Sequence, residues 1–181
     1  MIRVCIVEDQ TLVRQGFRSL LELTDDMKVV AEARDGEEAL LVIPKAKPDV
    51  VLLDLQLPKR NGIEVLRNLK ESNQLPPTLI LTTFDDDNLV LEGIRAGARG
   101  FLLKDVTLKH LTEAIRTLRA GGSLIKPAIT DRILRGLERV NLNPARETGQ
   151  RPHQTALRAG RRLVSALLQN RIFNEVPQQR A

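Results

Sequence analysis

Five short apolar runs, at residues 2–7, 28–33, 50–53, 78–81 and 100–103, recur along the first 122 residues, and a stretch of helical period follows each one. Several of the runs are apolar without alternation, as expected for parallel strands covered on both faces. The intervening segments, at about 11–23, 36–46, 62–71, 87–96 and 107–120, predict helices. Leu12, Gly16, Leu20 and Leu23 share one face of the first, and Leu108, Leu111, Ile115 and Leu118 share one face of the last. Asp35-Gly36 opens a helix, Pro44 and Pro48 bracket a turn, and Pro76-Pro77 parts a helix from a strand. Five strand–helix repeats predict a doubly wound α/β fold: a parallel sheet with right-handed crossovers and helices on both faces.

Composition bears on what surrounds that fold. The chain has 181 residues, 42% of them hydrophobic, with no Trp or Tyr and four Phe, so its core is aliphatic. The net charge of +5 is unevenly spread. Residues 1–122 carry 17 basic and 19 acidic side chains, and residues 123–181 carry 11 and 4. A near-neutral globule with a basic appendage follows, and such an appendage meets nucleic acid or an acidic surface, or is a solvated tail. No apolar run approaches the ~18 residues of a membrane span. The acids Glu8 and Asp9 interrupt the place of a signal sequence, so a cytoplasmic protein without membrane attachment is expected. The lone Cys5 sits in an apolar strand and reads as a buried thiol.

In sheets of this kind ligands sit at the carboxyl ends of the strands, where strand order reverses. Strand one ends in Glu8-Asp9, strand three in Asp54, strand four in Thr82-Thr83 and strand five in Lys104. Three carboxylates brought together repel unless a cation neutralises them, and an oxygen-only set selects a hard ion such as Mg2+. A carboxylate beside Mg2+ can attack a phosphoryl group in line, with metal and lysine absorbing charge on the equatorial oxygens and Thr82 bonding one of them. Plainer readings stand beside this one. Glu8 and Asp9 could cap the helix near Thr11, Thr82 could be a strand terminus, and Lys104 could be a solvated surface lysine. Asp54 resists such a reading, because it ends the most apolar strand, Val50-Val51-Leu52-Leu53, where a carboxylate needs a reason.

The segment Asp54-Leu55-Gln56-Leu57-Pro58-Lys59-Arg60-Asn61-Gly62 resembles D-x-x-[LM]-P-x-x-[DN]-G, the phosphoacceptor signature of two-component response-regulator receiver domains. The resemblance covers about 120 residues in order. It implies a flavodoxin-like sheet of order 2-1-3-4-5 and a phosphoryl group carried on Asp54. It implies Mg2+ held by Glu8, Asp9, Asp54 and the backbone carbonyl of Gln56, with Lys104 and Thr82 on the phosphoryl oxygens. Thr82 and Phe101 would be the switch pair, although an aromatic on a strand is ordinarily core. A sensor histidine kinase would be the donor, a homodimer a possible product of phosphorylation, and slow autodephosphorylation the nearest thing to enzymatic turnover. Residues 81–87 and 97–105 are similar to the NarL/FixJ subfamily, mostly transcription regulators with LuxR-type output domains. Asp85, Asp86 and Asp87 read as acids at a helix start, favoured by its dipole, ahead of a further metal site. Rival chemistries lack their residues: there is no G-x-x-x-x-G-K-[ST] and no G-x-G-x-x-G, and Gln56 stands where a haloacid-dehalogenase-type phosphatase needs a second Asp.

The expected domains are a receiver at 1–122, a linker at 123–143 with a helix at 127–140 opened by Pro127, and a basic segment at 144–181. Residues 142–148 resemble the start of the subfamily's DNA-binding domain, L-T-x-R-E, but its S-x-x-T-V-K-x-H segment does not follow. Residues 155–176 instead place Leu157, Leu163, Leu167, Leu168 and Ile172 among many Arg, an amphipathic basic helix. A truncated or frame-altered output domain is expected. Three roles remain open for it: packing or disorder, nonspecific contact with DNA phosphates, and dimerisation.

Overall fold

The computed structural model of the protein describes residues 1–83 and 87–124. The expected strands form as β1 (Ile2–Val7), β2 (Met27–Ala33), β3 (Val50–Leu53), β4 (Thr78–Thr82) and β5 (Gly100–Leu103). They alternate with α1 (Thr11–Glu22), α2 (Gly36–Ala46), α3 (Gly62–Glu71), α4 (Asp87–Ala96) and α5 (Leu108–Arg119). All pairings are parallel and the sheet order is β2-β1-β3-β4-β5, the flavodoxin-like arrangement.

Every residue of β3 and β4 is buried, which explains their unbroken apolar runs. Val4, Ile6, Val50, Leu52, Leu79 and Leu81 pack against Phe17 and Leu21 of α1 and Leu111, Ile115 and Leu118 of α5. The alternate positions Cys5, Val7, Val51, Leu53 and Ile80 face the opposite layer by the two-residue period of a strand. A β-carbon on Gly93 of α4 would lie 2.3 Å from Ile80 Cδ1, so small size at that position lets helix and sheet close together. Full burial of each large aliphatic side chain contributes about 2 kcal/mol.

The helix ends follow local chemistry. Asp35 caps α2 by accepting from the Glu38 amide, and Asn61 and Glu64 form a reciprocal capping box on α3. Thr107 caps α5, and Gly121, at φ +89°, ends it by donating its backbone N–H to Leu118 O. The chain then returns along the sheet edge. Leu124 N donates to Arg99 O at 2.8 Å and Phe101 N donates to Leu124 O at 3.1 Å, so Leu124 covers the start of edge strand β5.

Two local expectations are corrected. The face of α1 that carries Leu12, Gly16, Leu20 and Leu23 points to solvent, with Leu12 83% and Leu23 74% exposed. Val13, Phe17 and Leu21, on the adjacent stripe, face the core. The helix carries two apolar stripes at the same spacing, and the larger Phe17 sits on the buried one. Pro44 lies inside α2 rather than at a turn; Lys47, at φ +46°, makes the turn before Pro48. The linker helix at 127–140, the segment at 144–181, and Asp85 and Asp86 lie outside the described residues.

Candidate functional site

β1 and β3 are neighbours, while the chain leaves them toward opposite edges of the sheet, so a crevice opens at their carboxyl ends. The ladder runs on into the site: Glu8 N donates to Ala33 O at 3.0 Å and Asp54 N to Val7 O at 3.0 Å. Glu8 and Asp54 are therefore held rigidly by backbone, and both are buried, at 2% and 3% exposure. Asp9 is exposed beside them. One carboxylate oxygen from each of Glu8, Asp9 and Asp54 lies within 4.8 Å of the other two.

Lys104 follows β5, its amide donating to Thr82 O at 2.9 Å. Its ammonium lies 2.6 Å from Glu8 Oε2 and 2.8 Å from Asp54 Oδ2. It is thus no solvated surface lysine. Glu8 is likewise more than a helix cap. Gln10 is the N-cap of α1 and its own side chain makes no cap bond; Glu8 Oε1 accepts from the Gln10 amide at 3.3 Å, while Glu8 Oε2 turns inward to Lys104. Burial raises the Glu8 pKa; Lys104 pulls it down without cancelling that rise, to which the Asp54 charge adds. For Lys104 burial acts downward, but the hydrogen bonds and charges of Asp54 and Glu8 together exceed it, and its pKa is raised.

Thr82 is buried at the end of β4, level with Leu103 and one residue from the Lys104 turn. Phe101 is 3% exposed and pairs in register with Ile80, so it lies on the sheet face that meets α4. The Gln56 amide donates to Asp54 Oδ1 at 3.3 Å, which folds the β3–α3 loop back over the acid. The structure thus brings Glu8, Asp9, Asp54 and Lys104 together and sets Thr82 and Phe101 on the two neighbouring strands.

Sequence reasoning missed two supports. Arg14 Nη1 donates to Glu8 O at 2.7 Å, bracing the β1–α1 turn from one helical turn away. Lys59 Nζ lies 2.7 Å from Asp35 Oδ2, joining the β3–α3 loop to α2. The Asp-Gly pair announced the helix start but carried no sign of this second partner.

The donor set fits a divalent cation. All the ligand atoms are oxygens, and three carboxyl groups gather around a single ammonium. The exposed side, at Asp9, leaves room for the water ligands that Mg2+ retains.

Comparison with known proteins agrees with this geometry. The model of the response regulator receiver domain matches residues 4–116. The chain is 38% identical over 134 residues to the transcriptional regulatory protein LnrK of Bacillus subtilis, covering 74% of this chain and 61% of that protein. It is 39% identical over 125 residues to the DNA-binding transcriptional activator DevR/DosR of Mycobacterium tuberculosis, covering 69% and 58%. The chain therefore spans about three-fifths of the length of these relatives. A crystal structure of a LuxR-family two-component response regulator from Aurantimonas superposes with a TM-score of 0.67 at 34% identity, covering 77% of this chain and 99% of that one. Among the described residues no helix is long and apolar enough to cross a membrane. With more than half of its length matched by that model, on a sheet of the expected order, the chain belongs to the response regulator receiver-domain family.

Proposed function

We propose that this protein is a two-component response regulator that accepts a phosphoryl group on Asp54 and, through its state of phosphorylation, regulates transcription. The observation that carries the reading is the placement of Asp54: a buried carboxylate, fixed by backbone, paired to Lys104 and within 4.8 Å of two further acids. A sensor histidine kinase is the proposed donor and the cytoplasm the proposed location. Asp54 attacks the phosphorus of the donor's phosphohistidine. An O–P bond forms, the P–N bond breaks, and the imidazole leaves with the electron pair and takes a proton. Glu8, Asp9, Asp54 and the Gln56 carbonyl are the proposed holders of Mg2+, which neutralises charge on the phosphoryl oxygens when bound. Lys104 moves from its ion pair onto a phosphoryl oxygen, and Thr82 donates its hydroxyl to another. That shift of Thr82 makes room for the Phe101 ring, and the surface of α4, β5 and α5 changes for a partner or a second copy of the chain. Turnover is limited to slow hydrolysis of the acyl phosphate.

Incubation with radiolabelled acetyl phosphate and Mg2+ tests this. The wild-type chain incorporates label and Asp54→Asn does not; label on the Asn variant refutes the assignment. A second reading, a receiver acting through protein contacts or as a phosphate sink, draws on the missing S-x-x-T-V-K-x-H segment after Thr148. Beryllofluoride-activated protein in a gel shift separates the two: sequence-selective retardation supports transcription control, and its absence at low salt supports the sink.

A further inference from the structure

The loop that presents Asp54 and Gln56 is gripped from outside by the first turn of α2. Gly36 N donates to Pro58 O at 3.3 Å, and a β-carbon at Gly36 would lie 2.1 Å from Arg60 O, so helix and loop backbones meet as closely as glycine allows. Lys59 adopts φ +65°, a conformation that a residue with a β-carbon keeps only when its surroundings hold it. Asp35 is its near partner, at 2.7 Å from the ammonium, with Glu37 Oε2 a more distant one at 3.8 Å. Asp35 is 3% exposed and spends its two oxygens on different partners. Oδ1 caps α2 by accepting from Glu38 N at 2.8 Å, and Oδ2 meets Lys59 Nζ at 2.7 Å. The carboxylate end of the pair is buried, whereas Lys59 is half exposed, so the loop reaches in to a fixed anchor.

We propose that Asp35 is a positioning residue for the phosphoacceptor loop. Through Lys59 it sets where residues 54–60 stand, and so sets the affinity of the acid cluster for Mg2+. The inference rests on the reading of the cluster given above. Neither residue touches the metal; both act through the backbone that carries Gln56 and the side chain of Asp54. Their charges make the idea separable from plain electrostatics. Removing the positive Lys59 near an acidic site tightens cation binding if charge alone matters, whereas loss of the clasp loosens it.

The test is a Mg2+ titration of the full chain, followed by the amide resonances of Gln56 and Lys59. Removing a residue that orients a metal ligand costs about 10- to 100-fold in affinity, and for this more remote support the loss is at the low end, about tenfold. Lys59→Gln and Asp35→Asn each weaken binding by that factor. Their double variant is no weaker than either, and Lys59→Arg retains wild-type affinity. Asp35→Asn keeps an oxygen for the Glu38 amide, and Lys59→Gln changes a half-exposed side chain, so both variants fold. Unchanged or tighter binding by Lys59→Gln overturns the clasp while the wild-type titration stands. A wild-type chain that shows no Mg2+-dependent shift at Gln56 overturns the site reading and the clasp together.

Discussion

Lys104→Met tests whether the lysine is the cation that makes two buried acids tolerable. In the folded protein its ammonium is within 2.8 Å of both Glu8 and Asp54, whose side chains are 2% and 4% exposed. Removing one partner of such a cluster costs ~3–5 kcal/mol when the remaining charges stay ionised. Protonation offers Glu8 an escape. From an ordinary pKa of 4.5, neutralising a carboxyl at pH 7 costs about 3 kcal/mol, and at pH 5 less than ~1 kcal/mol. The loss at pH 7 is therefore about 3 kcal/mol and shrinks on acidification. The sign follows from proton binding. Glu8 already has its folded pKa raised by burial, and loss of Lys104 raises it further. Between the unfolded and folded pKa values the folded state holds the extra proton, so stability falls as pH rises through that window. Urea denaturation of wild type and variant at pH 5, 6 and 7, without divalent cations, measures the difference. A destabilisation that is flat across this range, or below ~1 kcal/mol at pH 7, refutes the reasoning. Mg2+ at 100 times its dissociation constant should return about 2.7 kcal/mol to the variant.

Three further outcomes follow from other parts of the molecule. Burial, with the charge of Glu32 adding to it, pushes the Cys5 thiol up to about 12, so a disulfide reagent at pH 8 labels it at the rate of global unfolding. Labelling that is fast and insensitive to added urea would contradict its burial. On α1, Leu21→Ala costs about 3 kcal/mol, whereas Leu12→Ser and Leu23→Ser each stay within ~0.5 kcal/mol; equal losses on the two stripes would reverse the assignment of the buried face. Gly62→Ala places a β-carbon 2.4 Å from Asp54 O, so the variant shifts the loop and slows phosphorylation by acetyl phosphate, and a wild-type rate would show that the loop yields.

The order of elements was legible in the residues alone, because each strand and helix announces itself by local period and punctuation. The all-buried Val50–Leu53 and the helix start at Asp35-Gly36 are local facts, and they appear in the structure as read. The sequence also singled out Asp54, since a carboxylate after four apolar residues conflicts with burial wherever the strand lies. Which stripe of α1 is buried was settled by packing. Leu12, Leu20 and Leu23 and the set Val13, Phe17 and Leu21 recur at the same helical spacing, and the choice depends on how the helix rolls against β1 and α5. Only the tertiary structure could show that Lys104, 50 residues from Asp54, is shared between Asp54 and Glu8. It likewise revealed that Asp35 is both a helix cap and the anchor of Lys59. Long-range ion pairs leave no period in a sequence, because they depend on where the crossovers set distant strand ends. The order β2-β1-β3-β4-β5 does that here, placing the ends of β1, β3 and β5 within reach of one ammonium.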